Sequence, residues 1–235
     1  MISFIDIRET TQLPSLKQVR VDLEKLKSKL INKEYTPQKI TDIFSSVADK
    51  HYFNISYIKD PAPDSGQMIV NAYFDPEEDA DDEIAIEIEL VFNNKDKTIV
   101  LSDEGFQWLV NTILSSLTHE MIHQKQYRSR GGIRGRQFTK FNSDSKDVQK
   151  AQQYLGNTDE VEAYGFNIAD QLMRSTKDYN KALDVLRGGA KDSLKYSPDL
   201  FAYIIAFGGS IDHPIIKRLI KKTVFYLDRI KNKYM

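Results

Sequence analysis

The stretch EIAIEIELVF, residues 83–92, indicates the fold class more directly than any other part of the sequence. Large apolar residues alternate along it with glutamates and smaller side chains, which predicts a strand with one buried face. The turn formers NNKD follow, and TIVL at 98–101 has the composition of another strand, so we expect these two strands to form a hairpin. Ser102 then suits the N-cap of a long helix over about 103–128.

Periodicity on either side of this stretch separates strands from helices. Before it, helical spacing over 14–32 and 37–47 is followed by strand-like runs at 53–58 and 67–74. After the long helix, helical patterns continue over 146–154, 158–174, 178–188, 199–206 and 213–233. We therefore predict an α+β fold, in which a small, mostly antiparallel sheet with a hairpin packs on the long helix and a helical C-terminal half follows.

The bulk composition limits the kinds of protein this can be. The chain of 235 residues is 40% hydrophobic, so we expect one domain, with 1–101 supplying the N-terminal helices and sheet and 102–235 supplying the helical half with a functional site where they join. A net charge of −1 argues against overall attraction to nucleic acid, and the absence of cysteine excludes thiolate metal sites. No apolar run is long enough for a membrane span or a signal peptide, so we expect a cytoplasmic protein.

The motif LTHEMIHQ, residues 117–124, carries the clearest chemical signal. His119 and His123 stand four residues apart on the long helix, off its apolar stripe, so both imidazoles can reach one ion. Glu120 projects about a third of a turn away, where it can reach a water without being a ligand. This spacing is typical of zinc hydrolases and predicts a zinc site.

A catalytic zinc site needs a third protein ligand. His51 precedes a strand and His213 lies in a turn, so neither histidine is a good candidate. In EVEAYGFNIADQLM, Glu162 falls within the apolar arc of a helix, where a carboxylate is costly unless a cation neutralises it. We therefore predict Glu162 as the third ligand. Glu160 is the fallback, because its spacing from Asn157 resembles a capping box, which would give it a structural role at the start of the helix. The alternative role for Glu162 is an ion pair with a core-facing arginine.

With HEMIH on one helix and EVEAYGFNIADQLM on the next, the chain resembles zincin metallopeptidases of the gluzincin type. The second segment is also similar to an E-x-E-A-x-x-F-A pattern of small intracellular or phage-encoded metallopeptidases. The resemblance covers about residues 83–173, and the glycine-containing or histidine extensions of other clans are missing. It includes a hydrophobic edge strand with its hairpin before the motif helix.

This resemblance implies zinc-dependent hydrolysis of peptide bonds in an unidentified protein substrate. Zinc on His119, His123 and Glu162 would activate a water, and Glu120 would act as the general base. The strand at 83–92 would bind an extended substrate by adding a strand. Gluzincins have a further residue that steadies the oxyanion, and five side chains here compete for that role: Tyr127, Tyr164, Tyr196, Tyr203 and His213.

Two charged segments and one alternative without catalysis also have to be considered. The basic segment 124–140 resembles nucleic-acid-binding sequences, although a solvated loop or a lid is favoured. The acidic segment 75–83 does not match a calcium loop and is expected to be a solvated turn. A catalytically inactive structural or interaction protein, with a metal that merely joins two helices, is a further alternative.

Overall fold

The computed structural model describes residues 16–80, 85–133, 135 and 146–234. The chain divides into two compact units, Met1–Gly132 and Ile133–Met235, called here the N-terminal unit and the C-terminal unit. The predicted α+β class is confirmed, because small sheets pack on one long helix and the described residues beyond it form helices. The division between the units falls after this long helix.

The N-terminal unit has five helices and five strands in its described part. In chain order they are α1 (Leu16–Glu24), α2 (Lys27–Leu30), β1 (Glu34–Tyr35), α3 (Pro37–Ala48), β2 (Asn54–Asp60), β3 (Met68–Phe74), α4 (Pro76–Ala80), β4 (Ile86–Asn93), β5 (Ile99–Val100) and α5 (Asp103–Ser129). The single helix predicted over 14–32 is two helices, α1 and α2, and residues 14 and 15 lie outside the described part. Thr36 caps α3 as its sequence suggests, because its hydroxyl accepts a hydrogen bond from the backbone N–H of Lys39.

β4 is the central strand of a three-stranded sheet with the order β2–β4–β3. It pairs in parallel with β2, where Asn54 is opposite Glu87, and antiparallel with β3, where Tyr73 is opposite Glu87. β5 pairs instead with β1, in a separate two-stranded sheet. The hairpin predicted between the strands at 83–92 and 98–101 is therefore wrong. Both sides of β4 are occupied by strands that precede it in the sequence, so β4 is not an edge strand.

The buried face of the sheet and the apolar stripe of α5 form the core of the N-terminal unit. Ile88, Leu90 and Phe92 of β4 are fully buried, as their alternation predicts. Burial of one such side chain stabilises the fold by about 1.5–3 kcal/mol. The stripe of α5 that joins this core consists of Phe106, Leu109, Val110, Ile113, Leu114, Leu117 and Met121.

α5 begins where the sequence predicts. The hydroxyl of Ser102 accepts a hydrogen bond of 3.0 Å from the backbone N–H of Gly105, and Asp103 and Glu104 lie in the positively polarised first turn. The cap and the continuous apolar stripe together support a helix of 27 residues. This length allows one helix to contribute both core residues and the histidine motif.

The acidic segment 75–83 is not simply a solvated turn in its described part. Residues 76–80 form α4, and the side chain of Asp79 is only 4% exposed. Its carboxylate accepts hydrogen bonds from Gln124 at 2.6 Å and from Arg128 at 2.5–3.1 Å, both on α5. This ion pair, in which only the carboxylate is buried, holds α4 against the end of α5 that carries the histidines.

The C-terminal unit is helical in its described part. Its helices are α6 (Lys146–Leu155), α7 (Thr158–Thr176), α8 (Tyr179–Gly188), α9 (Ala190–Tyr196), α10 (Pro198–Ala206) and α11 (Pro214–Tyr234). The sequence predicts all of these except α9. α7 packs closely against α11 at Gly165, where an added Cβ would lie 2.8 Å from the Cβ of Lys222. Among the described residues, no helix combines the length and the apolarity needed to cross a membrane.

Candidate metal centre

Two histidine side chains on α5 point towards one another. The Nε2 atoms of His119 and His123 lie 3.0 Å apart, and the ring centroids lie 4.7 Å apart. The spacing in the sequence causes this, because residues four apart lie one above the other on a helix. Two nitrogens at about 2.0–2.1 Å from one tetrahedral zinc ion would be about 3.3 Å apart. The observed pair is close to the separation that a shared ion requires.

Gln126 holds the ring of His123 at its other nitrogen. The amide Oε1 of Gln126 lies 3.0 Å from Nδ1 of His123. An amide oxygen accepts, so this contact favours the tautomer with the ring proton on Nδ1 and a lone pair on Nε2. That is the tautomer which binds a metal through Nε2. The sequence reasoning missed Gln126, although its position three residues after the second histidine places it within reach on the same helix.

Glu120, the predicted general base, is a buried residue of α5. It is 8% exposed and its neighbour His119 is 6% exposed. Adjacent helical residues project about 100° apart, so the carboxylate does not share the face of the two imidazoles. The helix therefore places a sheltered carboxylate beside the histidine pair without making it part of that pair.

Of the two glutamates of α7, Glu160 and not Glu162 is a member of a group of side chains that could hold a metal ion. His119, His123 and Glu160 form a group that could hold a metal ion, since each offers one ligand atom and these atoms all lie within 4.8 Å of one another. Glu160 is 7% exposed. It lies in the first turn of α7, which Asn157 caps by accepting a hydrogen bond of 3.0 Å from the N–H of Asp159.

Glu162, the third ligand preferred from the sequence, has other partners. Its Oε1 accepts a hydrogen bond of 2.7 Å from the hydroxyl of Tyr226, and its Oε2 forms an ion pair with Lys222. Both partners lie on α11. The premise that this carboxylate needs a neutralising partner holds, but a lysine and a tyrosine meet the need. The open alternative of an ion pair is thus realised with lysine in place of arginine.

Tyrosines of the C-terminal unit surround Glu160. Tyr154 of α6 hydrogen-bonds with Glu160 and Tyr164, and burial together with these neighbours raises the pKa of Tyr154 well above its usual range. The ring of Tyr164 meets that of Tyr203 edge to face, with centroids 5.2 Å apart. Sequence reasoning missed Tyr154, whose only signal is its position shortly before the Glu160 helix.

The remaining candidates are held by other contacts. Nε2 of His51 lies 3.1 Å from Oδ2 of Asp22, which gives that histidine a structural role in the N-terminal unit. His213 stacks on Phe207, and its Nδ1 accepts a hydrogen bond from the N–H of Ile215 at the start of α11. Partial burial lowers the pKa of His213. Neither histidine belongs to the group described above.

The tyrosines predicted as oxyanion partners have different surroundings. Tyr203 is fully buried, and burial raises its pKa. The ring of Tyr196 lies under the ammonium groups of Lys181 and Lys195, at 5.4 Å and 5.2 Å. Tyr127 meets the ring of Phe74 from β3 at 5.8 Å. The choice of an oxyanion partner stays a prediction.

The basic segment 124–140 is only partly described, because residues 134 and 136–140 lie outside the described part. Within it, Arg128 binds Asp79, so this guanidinium is engaged by an acid of α4. The predicted nucleic-acid role of this segment stays a prediction. Comparisons of the chain with protein families, with curated proteins and with solved structures gave no match.

Proposed function

We propose that this protein is a zinc-dependent peptidase in which His119, His123 and Glu160 hold the ion and Glu120 is the general base. The observation that carries the proposal is the group of two imidazoles and one carboxylate whose ligand atoms lie within 4.8 Å of one another. Two nitrogens and one carboxylate oxygen are a ligand set that zinc takes in catalytic sites, with a fourth position left for water or substrate. The third ligand is thus proposed to be Glu160 in place of Glu162.

Each residue of the chain has a defined task in this proposal. A bound zinc ion would supply Lewis-acid activation of water and carbonyl. Gln126 keeps the proton of His123 on Nδ1, so that Nε2 stays a ligand. Glu120 takes a proton from the attacking water on its carboxylate and returns it to the leaving nitrogen. A purely structural site has no need of such a base beside its ligands.

The substrate strand is assigned to β3 and no longer to β4. β4 is paired on both sides, so it has no free backbone groups for an added strand. β3 is an edge strand of the described sheet, and Phe74 at its end packs against Tyr127 of α5. An extended peptide that pairs with β3 would run beside the helix that carries the histidines, with main-chain contacts of low sequence preference.

Metal analysis and a matched pair of variants test the proposal. Protein purified with zinc should carry about one ion per chain and cleave a denatured protein such as casein. Glu120→Gln should keep the zinc and lower hydrolysis by about 10²–10⁴-fold, because it removes the general base. Glu104→Gln, in the exposed first turn of the same helix, should leave both properties unchanged.

Three outcomes would contradict the peptidase. Absence of zinc in the wild-type protein, or full zinc occupancy in His123→Ala, would remove the metal site. One zinc per chain without cleavage of casein or of a complex peptide library would leave a structural metal site, and thus the inactive alternative.

A further inference from the structure

The last helix, α11, is amphipathic, and its apolar side is already used. Its buried residues include Ile216, Leu219, Thr223, Tyr226 and Leu227, which are at most 5% exposed. This side packs against α7 in the C-terminal unit. Because the apolar side is covered, only the polar side of α11 is available to a partner.

The polar side carries a group of cations. At about 100° per residue, five basic residues fall within an arc of about 140° on the helix. Seen along the helix they are Lys217, Arg218, Lys221, Lys222 and Arg229, called here the basic stripe. From the first to the last they span about 18 Å at a rise of about 1.5 Å per residue. All except Lys222 are exposed. The arc also contains one acid, Asp228, whose carboxylate accepts a hydrogen bond from Tyr179 and pairs with Lys231.

The acids of the C-terminal unit neutralise only part of the basic stripe. Lys217 pairs with Asp212 at 2.9 Å, and Lys222 pairs with Glu162. Arg218, Lys221 and Arg229 form no ion pair with a carboxylate in the described part of the chain. Three positive charges on one face thus remain for an external anion.

An aromatic ring lies in the middle of the basic stripe. The guanidinium carbon of Arg229 is 3.3 Å from the ring centroid of Phe225, and Nζ of Lys222 is 5.9 Å from it. Stacking on the ring restricts the arginine side chain and keeps its charge near the outer face of α11. A prearranged cation loses less conformational entropy on binding than a free one.

The two units carry opposite net charges. The N-terminal unit has 15 basic and 22 acidic residues, a net charge of −7, and the C-terminal unit has 18 and 12, a net charge of +6. The overall value of −1 hides this asymmetry. A polyanion would therefore be repelled by one unit and attracted by the other.

We propose that the basic stripe of α11 binds the phosphate backbone of a nucleic acid. Several cations spread over about 18 Å of one helix face can contact successive phosphates of that backbone, and the contact would not depend on base sequence. An anionic membrane is a poorer fit, because a helix that lies on a bilayer needs a free apolar face to insert, and that face packs on α7.

Fluorescence anisotropy with labelled oligonucleotides of mixed sequence tests this proposal. Single-stranded DNA, duplex DNA and RNA of about 30 nucleotides are titrated with the full chain at several salt concentrations. The test variant is Arg218→Gln/Lys221→Gln/Arg229→Gln. The control is Lys39→Gln/Lys95→Gln/Lys97→Gln, which removes three exposed charges from the N-terminal unit.

The wild type should bind at about 50 mM salt and weaken as salt rises. The test variant should lower the slope of log K against log salt by up to about three, one for each lost phosphate contact, while the control keeps the wild-type slope. Circular dichroism and the melting temperature establish whether both variants are folded. If the triple variant does not fold, the three single substitutions are measured in its place.

Three results would overturn the proposal: no binding of any oligonucleotide by the wild type at low salt, an equal loss in the control, or binding to phosphatidylserine vesicles without binding to nucleic acid. The proposal does not depend on the metal centre. Glu120→Gln and zinc removal should leave oligonucleotide binding unchanged, so failure of the peptidase and failure of the basic stripe are distinguishable.

Discussion

α5 of the N-terminal unit and α7 of the C-terminal unit both carry buried acidic residues, yet the contacts of their polar side chains arise in different ways. On α5 the histidine pair arises from spacing within one helix, and the 3.0 Å contact of His119 and His123 follows from that local geometry. On α7 two glutamates stand two residues apart, and the neighbours of the helix determine what each one does. Glu160 joins the tyrosines of its own unit, whereas Glu162 binds α11.

The difference shows which part of the candidate metal centre is determined by local sequence. A pair of ligands on one helix needs only the backbone period, so its geometry can be inferred before the fold is known. The position of a ligand on a second helix also depends on how that helix is rotated about its own axis. The packing of α7 against α11 sets this rotation, and neither His119 nor His123 contains information about it.

The largest expected effect separates the two glutamates of α7. Glu160→Gln should weaken zinc binding by more than about 100-fold, because it removes a ligand and not only an outer partner. Glu162→Gln should change zinc affinity by less than about threefold, since its carboxylate is engaged by Lys222 and Tyr226. Competition with a calibrated chelator measures both. A greater loss for Glu162→Gln would restore the ligand predicted from the sequence.

The second largest expected effect concerns the packing around one glycine on α7 and one on α5. Gly165→Ala should destabilise the protein by about 1–2 kcal/mol, because the new Cβ would lie 2.8 Å from the Cβ of Lys222 and the clash exceeds the gain in helix propensity. In Gly105→Ala on α5 the Cβ meets only Oγ of Ser102 at 3.4 Å, so stability should stay equal or rise by up to about 1 kcal/mol. Urea unfolding measures both, and equal stabilisation would contradict the close approach of α7 and α11.

The smallest expected effect concerns the hydroxyl that holds Glu162. Tyr226→Phe removes one hydrogen bond to a carboxylate that keeps its lysine partner, so the free energy of unfolding should fall by about 0.5–1.5 kcal/mol. Burial and Glu162 raise the pKa of Tyr226, so its hydroxyl stays protonated and can donate at neutral pH. Thermal unfolding measures the loss, while zinc content should be unchanged. A loss of zinc would place Glu162 back at the metal.

Local signals were sufficient for most of the long elements and for several helix starts, although α4 and α9 were missed and the helix predicted over 14–32 is two helices. Ser102, Thr36 and Asn157 cap α5, α3 and α7, because a side-chain oxygen at the N-cap satisfies backbone N–H groups wherever the helix is later placed. The alternation in β4 predicted its buried residues for the same reason. These features depend on the backbone within a few residues.

The pairing of strands and the partners of buried charged side chains could not be predicted from the sequence. NNKD and the short strand TIVL indicated a hairpin, but β5 is two residues long and pairs with β1, which precedes it by more than 60 residues. The burial argument for Glu162 identified a carboxylate in need of a partner without identifying Lys222. Asp79 and Arg128 stand 49 residues apart, and each was assigned to a solvated segment before the structure joined them. Such contacts depend on long-range packing, which periodicity does not encode.

The central position of β4 has a consequence for synthesis on the ribosome. When the chain has emerged only as far as residue 80, β2 and β3 are both present, but the strand that separates them is still missing. Each then has two unsatisfied edges, which invite pairing with other chains. Translation through residue 93 supplies β4, which covers one edge of each of these strands. A pause before that point should increase co-translational aggregation, and a pause after it should not.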